Sequence, residues 1–238
     1  MLPLKPWRTE AVLLFIGAQV CCFFIGATIA AVLQKIGVPG FKTENDFLFI
    51  VFCTFGFQGV TFILMGLFFR LHEVDWIAAL GVRNRLLPAL LLASGVVIYI
   101  LPVAQQLQQI SIAIMIKCHW APQDEAAVKL ITDAVSPITQ IYLVLFTIVL
   151  APVGEEFIFR GMLFPFIKQR GWPKTAWLGV SFLFALIHGD MSILIPLFVL
   201  ALALTWLYET TDNLLAPIFA HGLFNAANLM ILKYLQHQ

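Results

Sequence analysis

Long apolar runs recur along this chain, at 11–33, 47–69 and 86–107 among others. Each matches the roughly 20 residues that cross a bilayer as helix. A run placed in lipid has no water to satisfy its backbone, so it must form a helix or join a closed barrel. Barrel strands need only about 10 residues and alternate in polarity. These runs are longer and do not alternate, so the expected fold is all-α, a polytopic helical bundle of the membrane.

A wetter stretch follows the third run, 117–136, with Lys117, Asp124, Glu125, Lys129 and Asp133. Residues 123–134 read as a short surface helix, capped by "APQDE" and ended before the "SP" at 136–137. The fourth apolar run covers 137–154 and meets two glutamates where a loop would be expected. The chain stays apolar through "FIFRGMLFPFIK" and turns in "QRGWPK", 169–174, on its Gly and Pro. Further helices are expected at 175–188, 193–208 and 214–235, with Pro196 marking the true start of the middle one. The total is seven or eight membrane helices in one integrated domain, with 1–136 as amino-terminal helices and loop and 137–238 as the functional core.

Composition agrees: 61% hydrophobic, 11% charged, mean hydropathy +0.94. Soluble domains run near half apolar and a quarter charged. A net charge of +1 provides no basic field, which argues against nucleic acid as a partner. Of the cysteines, Cys21, Cys22 and Cys53 lie in apolar runs, and none of the four with Cys118 forms C-x-x-C. Apolar packing is expected for them, not a disulfide framework or zinc knuckle. The first run exceeds a signal-peptide core and lacks an A-x-A site, so it is read as a retained helix. Lys5, Arg8, Arg70, Arg83, Arg85, Lys168, Arg170 and Lys174 fall on one side of a seven-span arrangement. Lys35, Lys42, Lys117, Lys129 and Lys233 fall on the other, so the bias favours a cytoplasmic amino terminus.

Within the apolar runs stand Glu155, Glu156, Arg160, His188, Asp190, His221, Asn225 and Asn228. A charge at the bilayer centre costs about 3 kcal/mol on insertion scales, so such residues are paired, wet or functional. Glu156 and Arg160 are spaced i, i+4, and Arg suits a carboxylate through paired hydrogen bonds. Glu155 then points about 100° away, an acid left over that can serve as general base. The structural alternative is a three-way salt bridge that only joins helices. From Glu155 to Gly171 is 16 residues, and from Gly171 to His188 is 17. Two helical arms of about 25 Å would bring His188 back to the depth of Glu155. His221 and Asn225 share a helix face at i, i+4 and are good oxyanion donors. Asn228 is read as interhelical hydrogen bonding and Asp190 as a cap or interface residue. Together Glu, His, His and Asn suit hydrolysis of an amide by activated water, without a covalent intermediate. There is no G-x-S-x-G and no H-E-x-x-H. Glu with two His also resembles a zinc ligand set, which leaves a metal site open.

Three motifs in order, E-E-x-x-x-R at Glu155, Glu156 and Arg160, F-x-x-x-H at Phe184 and His188, and H-x-x-x-N at His221 and Asn225, resemble the CAAX prenyl protease and bacteriocin-processing (CPBP, or Abi) family. "LYETTDNLLAPIFAH", 207–221, is similar to the approach to the last motif, and "WIAALGVR", 76–83, to a loop of bacterial members. The resemblance covers 152–228 and implies a helical bundle with a conical cavity open to the membrane and the cytosolic side. It implies an intramembrane endopeptidase, with Glu155 as base, His188 as water ligand, and His221 with Asn225 as oxyanion hole. Glu156 paired with Arg160 would support them. It further implies a membrane-tethered peptide or protein substrate, prenylated in the family's eukaryotic branch. The expected location is a bacterial-type inner membrane, with the site toward the cytoplasm. No cofactor is expected, since Asn is a poor zinc ligand and Arg160 disfavours a cation. A non-catalytic adaptor or immunity protein, a His/Glu metalloprotease and a transporter are the alternatives. For the last, inverted repeats and paired broken helices are wanting.

Overall fold

The computed structural model describes residues 5–77, 81, 85–121, 126–134 and 136–236. Its helices are α1 (Thr9–Lys35), α2 (Phe47–Leu71), α3 (Leu86–Lys117), α4 (Ala126–Asp133), α5 (Pro137–Lys168), α6 (Pro173–Leu186), α7 (Leu194–Thr211) and α8 (Leu215–Gln236). There is no strand among the described residues. Among the described residues, six helices, α1, α2, α3, α5, α7 and α8, are long and apolar enough to cross a membrane. The chain is a polytopic helical membrane bundle. Its surface is accordingly apolar, with Leu14, Phe24, Phe55, Ile98 and Met230 exposed.

The sequence-based count of seven or eight needs correcting. The eighth would have required a break at the glutamate pair. Instead α5 runs unbroken through Glu155 and Glu156 as a helix of 32 residues. The seventh, α6, has only 14 residues. At 1.5 Å per residue it is about 21 Å long, short of the roughly 30 Å hydrocarbon core. Pro196 is the third residue of α7, not its first. The surface helix is present as α4, while its expected cap at 122–125 lies outside the described residues, as does most of "WIAALGVR". Cys21 and Cys53 are exposed on the apolar exterior, not packed inside, and Cys22 is half-buried.

Two prolines shape α5. Pro152 has no N–H to return to Ile148, and Pro165 none for Gly161. Around them the helix widens into π-helical segments at Phe146–Leu150 and Phe157–Leu163. Such insertions are frequent at functional sites. The amino-terminal segment uses one of the freed carbonyls: the Trp7 indole N–H donates to Gly161 O at 2.9 Å.

Among the described residues the interior has two large parts and a small third one at Ile50, Ala134 and Leu143. Trp7, Phe15, Phe68, Phe69, Phe157 and Phe184 belong to an aromatic core between α1, α2, α5 and α6. Ala89, Ala93, Val97 and Ala104 of α3 pack on Leu200, Leu204 and Leu207 of α7 and on Ala216, Ala220 and Phe224 of α8. Small residues there let the backbones approach, the usual basis of helix packing in lipid. At one end of the bundle Lys168 pairs with Glu209, which also accepts from the Trp177 indole at 2.7 Å. Arg170 donates to Thr9 Oγ1 at 2.7 Å, and Lys5 N donates to Gln169 Oε1 at 3.3 Å. The start of α1, the end of α5 and the end of α7 therefore share one face of the membrane.

Candidate active site

The glutamate pair sits in the six-residue α-helical turn of α5 between the two π segments, Ala151–Glu156. Glu156 points inward and is fully buried. Its Oε1 accepts from Arg160 Nη1 at 2.9 Å and from His221 Nδ1 at 2.8 Å. Arg160 is also fully buried, and Nη2 donates to Ala201 O at 3.0 Å and Nε to Thr205 Oγ1 at 3.4 Å. The guanidinium lies 4.6 Å from the centre of the Phe184 ring. A buried charge pair is tolerated only when its remaining hydrogen-bonding capacity is met, and these contacts do most of that. Glu156 Oε2 stays buried without a partner among the described residues.

Glu155, one residue earlier, points elsewhere. Its side chain is partly open, and Oε2 lies 3.9 Å from His221 Nε2. His221 thus has one carboxylate on each ring nitrogen, at hydrogen-bond distance only from Glu156. If Nδ1 carries the proton that goes to Glu156, Nε2 faces Glu155 as an acceptor in the neutral ring and as a donor in the imidazolium.

The turn after α5 brings α6 back. Gly171 takes φ +89°, a left-handed conformation that favours glycine, and Pro173 opens α6 at its first position. His188 follows the last turn of α6, and its Nδ1 bonds Phe184 O at 2.7 Å. That bond fixes Nδ1 as the donor, so Nε2 carries the lone pair in the neutral ring. The reversal between α6 and α7 is held by Asp190, which accepts from Ser192 N at 2.8 Å and Ser192 Oγ at 3.0 Å. Asp190 is therefore a local cap. Non-helical backbone at membrane depth needs such internal satisfaction.

Glu155 and His188 line one cavity of about 610 Å³. Its other walls are mostly apolar: Phe15, Phe23, Phe24, Phe57, Ile158, Phe159, Leu183 and Ile187 among them. The cavity thus brings a partly exposed carboxylate and an imidazole together in a lipid-like surrounding.

Asn225 lies one turn beyond His221 on α8. Its Nδ2 donates to Thr147 O at 2.9 Å, in the first π segment of α5. One of its two amide hydrogens is used there and one is left. Between them, Gly222 is buried against α5, and an added Cβ would run into Ile148 O. Asn228 is half-buried further along α8.

Three features escape spacing arguments. Phe184 is a hub: its fully buried ring packs against Arg160, His188 at 4.9 Å and His221 at 5.5 Å. Glu156 holds His221 as well as Arg160. Gln58 of α2, 3% exposed, donates from Nε2 to Leu150 O at 3.2 Å and Ala151 O at 3.0 Å. The signal for Gln58 was a lone amide inside "FGFQGVTF", of the kind that merits a partner in a membrane helix. Among the described residues, no three His, Cys, Asp or Glu side chains are grouped to hold a metal ion.

Comparison with known proteins gives matches to part of the chain. Residues 137–227 match the Rce1-like family model, described as type II CAAX prenyl endopeptidase Rce1-like. The UPF0177 protein YxdF of Lactococcus lactis subsp. lactis (strain IL1403) is 33% identical over 78 residues, 32% of this chain and 42% of that protein. The chain thus matches less than half the length of this curated relative. No solved structure matches.

Proposed function

We propose that this chain is an intramembrane endopeptidase cleaving a membrane-tethered peptide with activated water, on the match of residues 137–227 to the Rce1-like family model of type II CAAX prenyl endopeptidases. The observation that carries the reading is the shared cavity: Glu155 and His188 face it together, and the His221 ring stands beside Glu155. The catalytic core is 137–238, supported by the helices of 1–136.

In this reading a water lies between the Glu155 carboxylate and His188 Nε2. Glu155 takes one proton as the water oxygen attacks the scissile carbonyl carbon. The carbonyl oxygen becomes an oxyanion, received by Nε2–H of protonated His221 and by the free amide hydrogen of Asn225. Glu156, itself anchored by Arg160, supports the imidazolium through Nδ1. The proton on Glu155 then passes to the leaving nitrogen as the C–N bond breaks, giving a new carboxyl terminus and an amine. The apolar cavity walls suit a lipid anchor beside the peptide, of which a prenyl group is the family's own case. No step needs a cofactor, and activity is expected to survive chelation; stoichiometric zinc lost together with activity would favour the metalloprotease alternative. In this reading the site faces the cytoplasm from a bacterial-type inner membrane, on the bias of Lys and Arg between the two faces.

The test is cleavage of a farnesylated carboxy-terminal reporter peptide by purified protein, wild type against Glu155→Gln. The substitution keeps volume and hydrogen bonding but cannot accept the proton. Cleavage is expected to vanish while thermal stability stays. Full biological function in a Glu155→Gln strain would instead favour a non-catalytic membrane adaptor.

A further inference from the structure

The amino-terminal half of the chain, outside the family match, contributes a side chain to the site. We infer that Gln58 of α2 is a positioning residue: its amide clamps the turn of α5 that carries Glu155 and so sets where that carboxylate stands in the cavity. This rests on the reading of Glu155 as the proton acceptor.

The support is geometric. The Gln58 amide has its nitrogen directed at two backbone carbonyls, Leu150 O at 3.2 Å and Ala151 O at 3.0 Å. Both are acceptors, which decides which end of the amide is nitrogen. Leu150 closes the first π segment and Ala151 opens the turn ending at Glu156. Gln58 therefore grips α5 at the junction where Pro152 has disturbed the helix's own ladder.

The amide also rests on Gly154, the residue before Glu155. A Cβ added there would stand 2.9 Å from Gln58 Nε2 and 3.0 Å from Cδ. The absence of a side chain at 154 is what lets the amide reach the two carbonyls. Behind Gln58, Gln19 Nε2 of α1 donates to Phe57 O at 3.2 Å, tying α1 to the same turn of α2. Gln58 and Gln19 share the cavity wall with Glu155 and His188. One turn earlier in α5, Asn225 of α8 holds Thr147 O. The stretch of α5 leading into Glu155 is thus held by amides of two different helices. Interhelical amides also serve packing in membrane bundles; what marks this one is its place beside a reacting group, where a displacement of about 1 Å costs on the order of 100-fold in rate.

The experiment compares wild type, Gln58→Met, Gly154→Ala, the double variant and Glu155→Gln, purified and placed in lipid nanodiscs. Met keeps the length and volume of Gln58 and removes the donor. Gly154→Ala displaces the amide from the other partner, so the proposal does not rest on one variant folding. Two readouts are taken: hydrogen exchange by mass spectrometry over 150–156, and kcat and KM on the farnesylated reporter. Each single variant is expected to speed exchange over 150–156 but not in α3 or α7. Each is expected to lower kcat by about 10- to 100-fold with KM within about twofold. The double variant is expected to be no worse than the poorer single one, since both break one contact. Unchanged exchange over 150–156, a change in KM alone, or losses that multiply would overturn the clamp. The exchange arm needs no substrate, so it decides the proposal even if the reporter is not cleaved. Undiminished cleavage by Glu155→Gln would sink the proteolytic reading separately.

Discussion

Adjacent glutamates differ here in almost everything except chemistry. Glu156 is sealed between Arg160, His221 and the Phe184 ring, while Glu155 opens to the cavity. Their substitutions should therefore separate. Glu156→Gln leaves Arg160 buried opposite a neutral amide, a loss of about 3–5 kcal/mol for a broken buried pair. Its first symptom is expected to be a lower midpoint in a thermal unfolding assay. Adding Arg160→Met removes the orphaned charge and is expected to recover part of that stability, since what stays buried is a neutral amide and no longer an uncompensated cation. Cleavage should not recover, because His221 has still lost its carboxylate. Recovery of both together would mean that Glu156 serves packing alone. His221→Ala and Asn225→Ala should each lower kcat by about 100-fold, the size of one oxyanion donor. Asn225→Ala should also loosen α8 from α5, because its amide holds Thr147 O. A destabilised but fully active Asn225→Ala protein would remove Asn225 from the oxyanion hole.

At the scale of the element, α5 explains both what the sequence revealed and what it hid. The i, i+4 spacing of Glu156 and Arg160 lies within one helix, so local spacing predicts the contact, and the structure has it at 2.9 Å. The lengths of the first three apolar runs likewise predict α1, α2 and α3, because run length is what the bilayer selects. The hairpin count that carries His188 back toward Glu155 works for the same reason: it needs only helix rise and one glycine turn. What stayed hidden depends on contacts between distant elements. No spacing relates Glu156 to His221, 65 residues later, or Gln58 to Ala151, 93 residues later. The π segments were hidden too, since the prolines that cause them read equally well as helix ends. Gly222 shows the consequence for packing. It allows α8 to lie on the widened part of α5, where a Cβ would collide with Ile148 O, a backbone atom that cannot swing away. Gly222→Ala is expected to push α8 outward, costing about 1–3 kcal/mol as overpacking does. It should also reduce cleavage with His221 itself intact. A Gly222→Ala protein with wild-type unfolding midpoint and wild-type rate would show that the approach of α8 to α5 is not needed.

For the whole molecule, the open question is how the bundle sits in the membrane, and the short α6 decides what can be asked. α6 leaves the end of the bundle where α5 finishes, and α7 returns there, as the Lys168–Glu209 pair requires. The α6–α7 pair is therefore a hairpin with both outer ends on one face. Whether its turn at 187–193 reaches the far interface does not alter the parity of the other spans. With α1, α2, α3, α5 and α8 each crossing once, the termini are expected on opposite faces. The face holding Lys5, Arg8, Arg70, Arg85, Lys168, Arg170 and Lys174 carries the greater share of Lys and Arg, and on that bias we propose that it faces the cytoplasm. With Cys21, Cys22, Cys53 and Cys118 replaced, a single cysteine at Gly171 is expected to react with an impermeant maleimide only in inside-out vesicles. One at Trp120, beyond the end of α3, should react only in intact cells. One at Met191 in the hairpin turn should react slowly from either side, because about 21 Å of α6 leaves that turn short of the far interface. Rapid labelling of Met191→Cys from outside would make α6 a full span and the local bilayer thin. Labelling of Gly171→Cys from outside alone would invert the molecule and turn the proposed site away from the cytoplasm.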